Sequence, residues 1–337
     1  MVPHLVCPLL ESSQIGDARR QAARLAATLE FDEVAAGRLA LVVTELATNL
    51  VRHARSGMLL IGTHRSAKGA TAIELISMDH GPGMRDIEQS LVDGVSTGGT
   101  SGTGLGAVRR LSNQFLAHSR LGSGTVIVAR VASDSNAPAF KHDGGPLSHA
   151  GLCIAAPAET ISGDAWACAS TARGASMLMA DGLGHGPDAA AAAYAAVRVF
   201  EERAAESPRD IVERCHAVLR STRGAAVAAI AIDTEERSVT FCGAGNISAR
   251  LLTGIEDRTL MSQHGTVGLQ IRKLQEIRYD LPQHAILVAH SDGIVTRWTL
   301  KETPELLSCD PVIIAAHLLR DQLRGKDDAT VLVVRCD

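Results

Sequence analysis

The amino-acid sequence predicts an α+β protein that is divided into two domains. Its 337 residues suffice for two ordinary domains, and a composition of 46% apolar and 21% charged residues is typical of a globular chain. A stretch of turn-forming residues without hydrophobic periodicity, residues 132–149, separates two regions of different pattern. We therefore expect a first domain over residues 1–131, a linker over 132–149 and a second domain over 150–337.

The first region mixes helical and strand patterns. An apolar stripe predicts a helix from Asp17 to Leu29, and a second helix is predicted from Asp32 to about Ala54. The pattern continues with two strands, a helix and a strand, at Leu59–Thr63, Ala72–Met78, Val108–Phe115 and Thr125–Val131. This mixture predicts helices layered on one face of a mixed sheet.

Short β-prone runs dominate the second region. They lie at Leu152–Ala156, Ala165–Ala169, Ser176–Ala180, Ala225–Ile232, Val239–Cys242, Ile247–Leu252, Ala285–Ala289 and Ala329–Val334. Helical patterns interrupt them at about Pro187–Ala204, Pro208–Ser221 and Pro311–Leu323. Many strands with helices inserted between them predict an α+β sandwich.

Charge and cysteine usage limit the partners and the compartment. A formal net charge of −4 argues against a nucleic-acid partner, which would normally require a basic face. The seven cysteines are scattered without paired spacing, which indicates reduced thiols in a cytoplasmic protein. No apolar run approaching the roughly 18 residues of a membrane-spanning helix stands out, so no membrane partner is expected.

Three features of the first region together indicate a nucleotide site. Glu45 and Asn49 lie four residues apart, on one face of the second predicted helix. Asp79 leaves a predicted strand and opens the run Asp-His-Gly-Pro-Gly, whose glycines allow the backbone to approach a ligand. A glycine-rich run ending at Gly106 leads into a helix, where backbone N–H groups can receive phosphate. Taken singly, these features are also typical of a solvated helix face, an Asp-x-Gly turn and a flexible linker.

In their order and spacing these features resemble the GHKL (Bergerat-fold) ATPase and kinase family, over about residues 10–131. The likeness is closest to the switch-kinase and anti-sigma group of the RsbT type. It rests on three segments: Arg38-Leu-Ala-Leu-Val-Val-Thr-Glu-Leu-Ala-Thr-Asn49, Asp79-His-Gly-Pro-Gly-Met-Arg-Asp86 and Asp93-Gly-Val-Ser-Thr97. The resemblance implies a Bergerat-type α/β sandwich that binds Mg-ATP.

The same resemblance implies a role for each residue of this site. Glu45 would be the general base toward a substrate hydroxyl, and Asn49 would coordinate the Mg²⁺ that bridges the ATP phosphates. Asp79 would accept a hydrogen bond from the adenine amino group, and Thr125 would support the adenine end. Five glycines would shape the phosphate lid: Gly81, Gly83, Gly102, Gly104 and Gly106.

Aspartates at apparent strand ends mark the second region. They are Asp164, Asp181, Asp292 and the neighbouring pair Asp327 and Asp328. An Asp-Gly pair alone is more often a turn. Several such carboxylates, however, could converge on two hard divalent cations, which prefer oxygen ligands and can activate water for attack on a phosphoryl group.

This second set resembles the metal-dependent serine/threonine phosphatase superfamily in its SpoIIE-like branch, over about residues 150–337. The run Asp181-Gly-Leu-Gly-His-Gly186 is most similar to phosphatases of the RsbX type. The resemblance implies an αββα phosphatase sandwich in which Asp181 and the Gly182 carbonyl bridge two Mn²⁺ or Mg²⁺ ions. The remaining ligands would be Asp164, Asp292 and Asp327.

Some assignments in the second site stay open at the level of sequence. Asp328 is an alternative to Asp327 as ligand, although the family motif favours Asp327. His185 is either a proton donor to the leaving oxygen or part of a glycine turn. No basic residue is placed to clamp the substrate phosphate.

The two resemblances together imply a bifunctional cytoplasmic signalling enzyme. The first domain would phosphorylate a serine or threonine of a partner protein with Mg-ATP, and the second would remove such phosphates. The implied partners are STAS-domain proteins of a bacterial partner-switching pathway. In the alternative, the phosphatase is active and the first domain is an anti-sigma-like binding module without kinase turnover. It would then hold a sigma factor or a downstream phosphatase in response to nucleotide.

Overall fold

The chain folds into two compact units, Val2–Asp143 and Gly144–Asp337. The computed structural model describes residues 3–54, 56–65, 69–91, 104–140 and 147–336. Each unit has its own sheets and its own hydrophobic core.

The first unit is an antiparallel sheet with helices on one face. Its elements are β1 (Leu5–Pro8), α1 (Ser13–Thr28), α2 (Glu33–His53), β2 (Met58–Arg65), β3 (Thr71–Asp79), α3 (Ile87–Ser90), α4 (Gly104–Leu111), β4 (Gln114–Arg120) and β5 (Gly124–Ala132). The strand order is β1-β2-β3-β5-β4, and every ladder between these strands is antiparallel. The expectation of a mixed sheet is therefore wrong in this detail. The pairs β2–β3 and β4–β5 are each consecutive in the chain, and such neighbours run antiparallel when they pair directly.

Alternate residues of the sheet form the core against α1, α2 and α4. On β2, Leu59 and Ile61 are fully buried on the helix side, and Ile73 and Leu75 continue the row on β3. This period of two is the expected consequence of packing one face of a pleated sheet. Asp32 caps α2, because its carboxylate accepts hydrogen bonds from the backbone N–H groups of Ala35 and Ser135.

By length and hydropathy α2 could cross a membrane, with a mean hydropathy of 1.4 over its most apolar 18 residues. This corrects the expectation that no stretch approaches that length. In the folded unit, the apolar side of α2 is part of the core: Leu39, Val42, Leu46 and Leu50 are buried there. The hydrophobic character of α2 is thus accounted for by packing within the unit.

The two edge strands of this sheet, β1 and β4, are not predicted from the sequence. A helix was expected at Val108–Phe115, yet α4 ends at Leu111 and β4 begins at Gln114. Asn113 lies at this change of direction. Its N–H donates to the Arg130 carbonyl, and its Oδ1 accepts from the Ala132 N–H and from Arg38 Nη2. These tertiary hydrogen bonds override the local helical pattern.

The second unit is a sandwich of two antiparallel sheets. Its elements are β6 (Leu147–Ile154), β7 (Asp164–Thr171), β8 (Gly174–Gly182), α5 (Pro187–Arg203), α6 (Pro208–Val218), β9 (Ala225–Asp233), β10 (Ser238–Ala244), β11 (Ser248–Leu252), β12 (Asp257–Leu260), β13 (Gly265–Thr266), β14 (Gln270–Ile271), β15 (Ile277–Asp280), β16 (Ala285–His290), α7 (Pro311–Gln322) and β17 (Ala329–Cys336). One sheet has the order β15-β10-β9-β8-β7 and the other β12-β11-β16-β17-β6.

Two cores hold this sandwich together, and both follow from alternation along the strands. Met177, Met179, Leu287 and Leu332 belong to the layer between the sheets. The opposite side of the first sheet packs on α5 and α6, with Phe200 fully buried between them. The third helix, α7, packs on β6 and β17. The αββα arrangement expected from the sequence is confirmed.

Replacing Leu46 by Ala tests the role of α2 as a core helix. Leu46 is fully buried, so Leu46→Ala should lower the free energy of unfolding by about 2–5 kcal/mol. Leu41→Ala on the exposed side of the same helix is the matched control and should change it by no more than about 0.5 kcal/mol. Urea unfolding followed by far-ultraviolet circular dichroism measures both. Equal effects of the two substitutions would contradict this packing.

Candidate functional site

Two of the predicted aspartates face each other at one end of the first sheet of the sandwich. Asp164 begins β7, Asp181 lies near the end of β8, and the two residues are direct partners in the antiparallel ladder. Asp164 is buried and Asp181 is partly buried. In each carboxyl group the atom Oδ2 is buried and has no hydrogen-bond partner. Such orphaned buried oxygens are costly, and a ligand that engages them would remove the cost.

Two more predicted aspartates reach the same place from the second sheet. Asp292 follows β16 by two residues, and Asp327 comes two residues before β17. Together with Asp181 they line an open cleft of about 480 Å³. The Asn246 amide lies at the same wall and donates a 2.7 Å hydrogen bond from Nδ2 to Asp292 Oδ2. The structure thus brings together carboxylates from both sheets.

The electrostatics of the cleft are those of crowded negative charges. Burial raises the pKa of Asp181 to about 9, and the charges of Asp164, Asp292 and Asp327 act in the same direction. Burial likewise raises the pKa of Asp164 to about 7, with Asp328 and Asp292 adding to the shift. A bound cation would reverse this effect, because it favours the ionised form of each carboxylate.

The chemistry of this donor set fits a hard divalent cation. Carboxylate oxygens are the ligands that Mg²⁺ and Mn²⁺ prefer, and two of those present have no other partner. Among the described residues, no three or more His, Cys, Asp or Glu side chains already stand close enough to enclose an ion. The carboxylates would therefore have to turn toward the ion as it binds.

Asp327 and Asp328 are neighbours in the sequence but have different environments in the structure. Asp328 is buried, and its two carboxylate oxygens accept hydrogen bonds from the backbone N–H groups of Ala156 and Gly163, both at 2.8 Å. It thereby fastens the loop between β6 and β7. Asp327 lines the cleft, and its Oδ1 accepts from the Asp328 N–H. Of the two, only Asp327 presents its side chain to the cleft.

Close backbone approach explains the glycine at position 182. A β-carbon there would stand 2.1 Å from the Ala189 carbonyl oxygen, so α5 could not pack where it does with any larger residue. The Gly182 N–H donates to the Gly163 carbonyl, which ties the end of β8 to the loop that precedes β7. The expected contribution of the Gly182 carbonyl to a metal site stays a prediction.

His185 lies in the turn after β8 but does not line the cleft. Its Nδ1 is 2.8 Å from Glu159 Oε1, and 61% of its side chain is exposed. This geometry ties the turn to the β6–β7 loop, and it places the imidazole outside the ring of aspartates. Of the two roles left open by the sequence, the local turn role is the one that these contacts support.

The second predicted constellation lies in the first unit, around α2. Glu45 and Asn49 are half-buried and one turn apart. The first residue of α4, Gly104, packs against them: a β-carbon on it would stand 2.8 Å from Glu45 Oε2 and 3.9 Å from Asn49 Oδ1. The beginning of α4 and the polar side of α2 therefore border one space.

Asp79 and Thr125 lie side by side, as direct partners between β3 and β5. The Asp79 Oδ1 accepts a 2.6 Å hydrogen bond from the Gly81 N–H. A β-carbon at Gly81 would stand 2.7 Å from the His53 carbonyl oxygen at the end of α2. Glu45 and Asn49 lie on the same helix. Thus α2 carries one part of this predicted site and, at its end, contacts the turn that follows Asp79.

The remaining predicted glycines have different environments. Gly83 has a φ of +69°, and a β-carbon there would meet the Arg120 carbonyl at 2.0 Å. Gly106 is buried within α4. Gly102 and the segment Asp93–Thr97 lie outside the described residues.

Two further residues beside this predicted site, Ser119 and Gly124, are not indicated by the sequence analysis. Ser119 Oγ accepts from the Met84 N–H and lies 2.8 Å from Thr125 Oγ1. Gly124, at φ +88°, lies so close to the Asp79 carbonyl that a β-carbon would stand 1.9 Å from it. The run Gly122-Ser-Gly-Thr125 is the local signal that could have identified Gly124; Ser119 has none.

Exchanging each carboxylate of the Asp327–Asp328 pair for its amide tests their assignment. Asp328→Asn should lower the free energy of unfolding by about 1–3 kcal/mol, because an amide can accept from only one of the two buried N–H groups without opposing the other. Asp327→Asn is the matched control and should not lower the free energy of unfolding, since its Oδ1 still accepts from the next N–H and one negative charge is removed from the cleft. Urea unfolding compares them, and equal stabilities would refute the role of Asp328 as loop anchor.

Two protein-family models match separate parts of the chain, one within each compact unit. The family described as Histidine kinase-like ATPase domain matches residues 9–131. The family described as Stage II sporulation protein E (SpoIIE) matches residues 171–337.

Two curated proteins of Bacillus subtilis (strain 168) are similar to the two parts. Serine/threonine-protein kinase RsbT is 37% identical over 113 residues, which are 33% of this chain and 84% of that protein. Phosphoserine phosphatase RsbX is 32% identical over 89 residues, which are 26% of this chain and 45% of that protein. The RsbX match thus spans less than half of its length.

Two solved structures share the fold of the sandwich. A crystal structure of RsbX in complex with magnesium has a TM-score of 0.51 at 22% identity, covering 57% of this chain and 96% of that one. A structure described as ‘The bacterial stressosome: a modular system that has been adapted to control secondary messenger signaling’ has a TM-score of 0.53 at 25% identity, covering 56% of this chain and 99% of that one. The chain therefore belongs to the histidine-kinase-like ATPase family through its RsbT-type first domain, and its residues 171–337 match the SpoIIE family model.

Proposed function

We propose that this chain is a bifunctional partner-switching regulator, with a protein serine/threonine kinase in the first unit and a phosphoserine/phosphothreonine protein phosphatase in the second. The observation that carries the proposal is the convergence of Asp164, Asp181, Asp292 and Asp327 from both sheets, with two buried oxygens left without partners. We assign residues 1–131 and 150–337 to the two enzymes and 132–149 to the linker.

In the phosphatase, these four carboxylates and the Gly182 carbonyl would hold two Mn²⁺ or Mg²⁺ ions. Such ions supply an activated water and neutralise the charge of the phosphoryl group. Other side chains of the protein position these carboxylates. Asn246 holds Asp292 by a hydrogen bond, and Asp328 fixes the loop that precedes Asp164. The open cleft gives access to a phosphorylated side chain of another protein.

In the kinase, Asn49 would hold the Mg²⁺ that accompanies ATP, and Asp79 with Thr125 would receive the adenine. Glu45 would take the proton from a serine or threonine hydroxyl. Phosphoryl transfer depends on position and charge neutralisation more than on covalent chemistry by the protein. The packing of Gly104 against Glu45 and Asn49 supports this assignment, because it brings the first residue of α4 next to the proposed general base.

The substrates we propose are STAS-domain proteins of a cytoplasmic partner-switching pathway. The support is the likeness of the two parts to RsbT and RsbX, and of the sandwich to a stressosome structure. Opposing enzymes on one chain would raise the effective concentration of each near a shared partner.

Replacing Asp181 tests the phosphatase. Asp181→Asn should lower kcat for p-nitrophenyl phosphate with Mn²⁺ by more than about 100-fold. Loss of a residue that only hydrogen-bonds a metal ligand typically lowers activity by about 10- to 100-fold, and loss of a direct ligand should lower it further. EDTA should abolish the wild-type activity. Asp280→Asn, an exposed aspartate of β15, is the control and should keep full activity. Full activity of Asp181→Asn would rule out the two-metal assignment.

Replacing Asn49 and Glu45 separately tests the kinase and distinguishes it from a binding module. Asn49→Asp should weaken Mg-ATP binding at least tenfold, because it adds a negative charge beside the phosphates. Glu45→Gln should retain ATP binding but lose phosphate transfer to a STAS-domain protein. Glu33→Gln, exposed in the first turn of α2, is the control. Nucleotide binding is measured by calorimetry and transfer with radiolabelled ATP. Absence of transfer by the wild type, with binding intact, would favour the binding module.

A further inference from the structure

Three exposed side chains form a lip beside the aspartate cleft of the second unit. This lip consists of Leu183, Arg223 and Leu269, of which the two leucines are 51% and 56% exposed. Leu183 also lines the cleft. Exposed aliphatic side chains beside a cleft offer apolar surface that a bound protein can bury.

The backbone at Gly224 holds the lip together. The Leu183 N–H donates a 3.0 Å hydrogen bond to the Gly224 carbonyl. Gly224 has a φ of +79°, and a β-carbon there would stand 3.1 Å from Leu269 Cγ and 2.9 Å from Thr266 Cγ2. Thr266 is itself part of the cleft wall. Gly224 therefore lies next to both the backbone of Leu183 and the side chain of Leu269, at the edge of the cleft.

Arg223 brings a positive charge to this edge. Its Nη1 lies 3.5 Å from the position of a β-carbon on Gly184, and Gly184 lines the cleft. Its Nη2 is 2.6 Å from Asp188 Oδ2, in an ion pair whose two side chains are both more than half exposed. Exposed pairs of this kind contribute little, so the guanidinium can turn to another anion at small cost.

The charges that line the cleft indicate which anion Arg223 would bind. The described side chains that line the cleft include three aspartates and no lysine or arginine. The arginine that can bind a phosphate group entering this cleft is therefore Arg223, at the lip. Guanidinium groups bind phosphate with two parallel hydrogen bonds, which fixes the direction of approach.

We propose that the lip is the docking surface for the phosphorylated protein substrate. The phosphoserine or phosphothreonine side chain enters the cleft, Arg223 binds its phosphate, and an apolar segment beside it packs on Leu183 and Leu269. The inference rests on the proposed phosphatase function and adds to it a substrate class: a protein whose phosphorylated residue lies next to exposed aliphatic side chains.

The apolar part of the lip is tested with two probes of different size. The probes are p-nitrophenyl phosphate and a STAS-domain protein phosphorylated on serine, both with Mn²⁺. Leu269→Ser should raise KM for the phosphoprotein about tenfold, the contribution expected of one buried leucine. The ratio of kcat/KM between phosphoprotein and small phosphate should fall accordingly. Ile255→Ser is the matched control, since Ile255 is 93% exposed in the turn at the far end of β11; it should leave both substrates unchanged.

Arg223 should give a different pattern, because both probes carry the phosphate. Arg223→Ala should raise KM for both by about 10- to 100-fold. Arg223→Lys should restore only part of the loss, because an ammonium group lacks the paired donors. The affinity for Mn²⁺, measured by calorimetry, should not change in either variant.

Three outcomes would overturn the docking surface. They are unchanged KM in Leu269→Ser, an equal loss on both probes in Leu269→Ser, and loss of Mn²⁺ affinity in Arg223→Ala. Each can occur while the wild type hydrolyses p-nitrophenyl phosphate normally. Failure of the wild type itself to hydrolyse the small phosphate would instead refute the phosphatase function.

Discussion

The second unit is constrained by several carboxylates that lie close together at one end of the sandwich. Asp164 and Asp181 are direct ladder partners, and burial together with neighbouring carboxylates raises the pKa of both. Such an arrangement weakens the folded state in the absence of a counter-charge. The fold meets this cost with two large apolar cores and with hydrogen bonds that anchor the surrounding loops. Destabilising groups kept in this way are typical of a functional site.

The first unit places its polar groups by a different means. One helix, α2, supplies both core and site: its apolar side packs on the sheet, and its other side carries Glu45 and Asn49. Its last carbonyl reaches the glycine turn that follows Asp79. Side chains on a packed helix are positioned by the whole core beneath that helix.

Much of this architecture could be predicted from periodicity and turn chemistry. Buried strands such as Ala72–Met78, and helices with clear stripes such as α1 and α2, were found within a few residues. Five strands of at most four residues each are not predicted from the sequence, namely β1, β12, β13, β14 and β15. Nor is β4 predicted, because this half-buried strand follows a helical pattern that Asn113 interrupts. In the sites, sequence motifs identified the aspartates. The different environments of Asp327 and Asp328, and the position of Arg223, depend on contacts between distant segments and leave no local signal.

The anchor formed by Asp328 has a consequence for how this unit is made. Its carboxylate binds backbone groups 172 and 165 residues earlier in the chain. The strand that follows it, β17, pairs with β6, the first strand of the unit. Contacts of such long sequence separation form late, because a large loop must close first. A ribosome-bound chain would therefore carry an open, incomplete cleft until β17 emerges, so that the cleft is complete only when synthesis of the unit is finished.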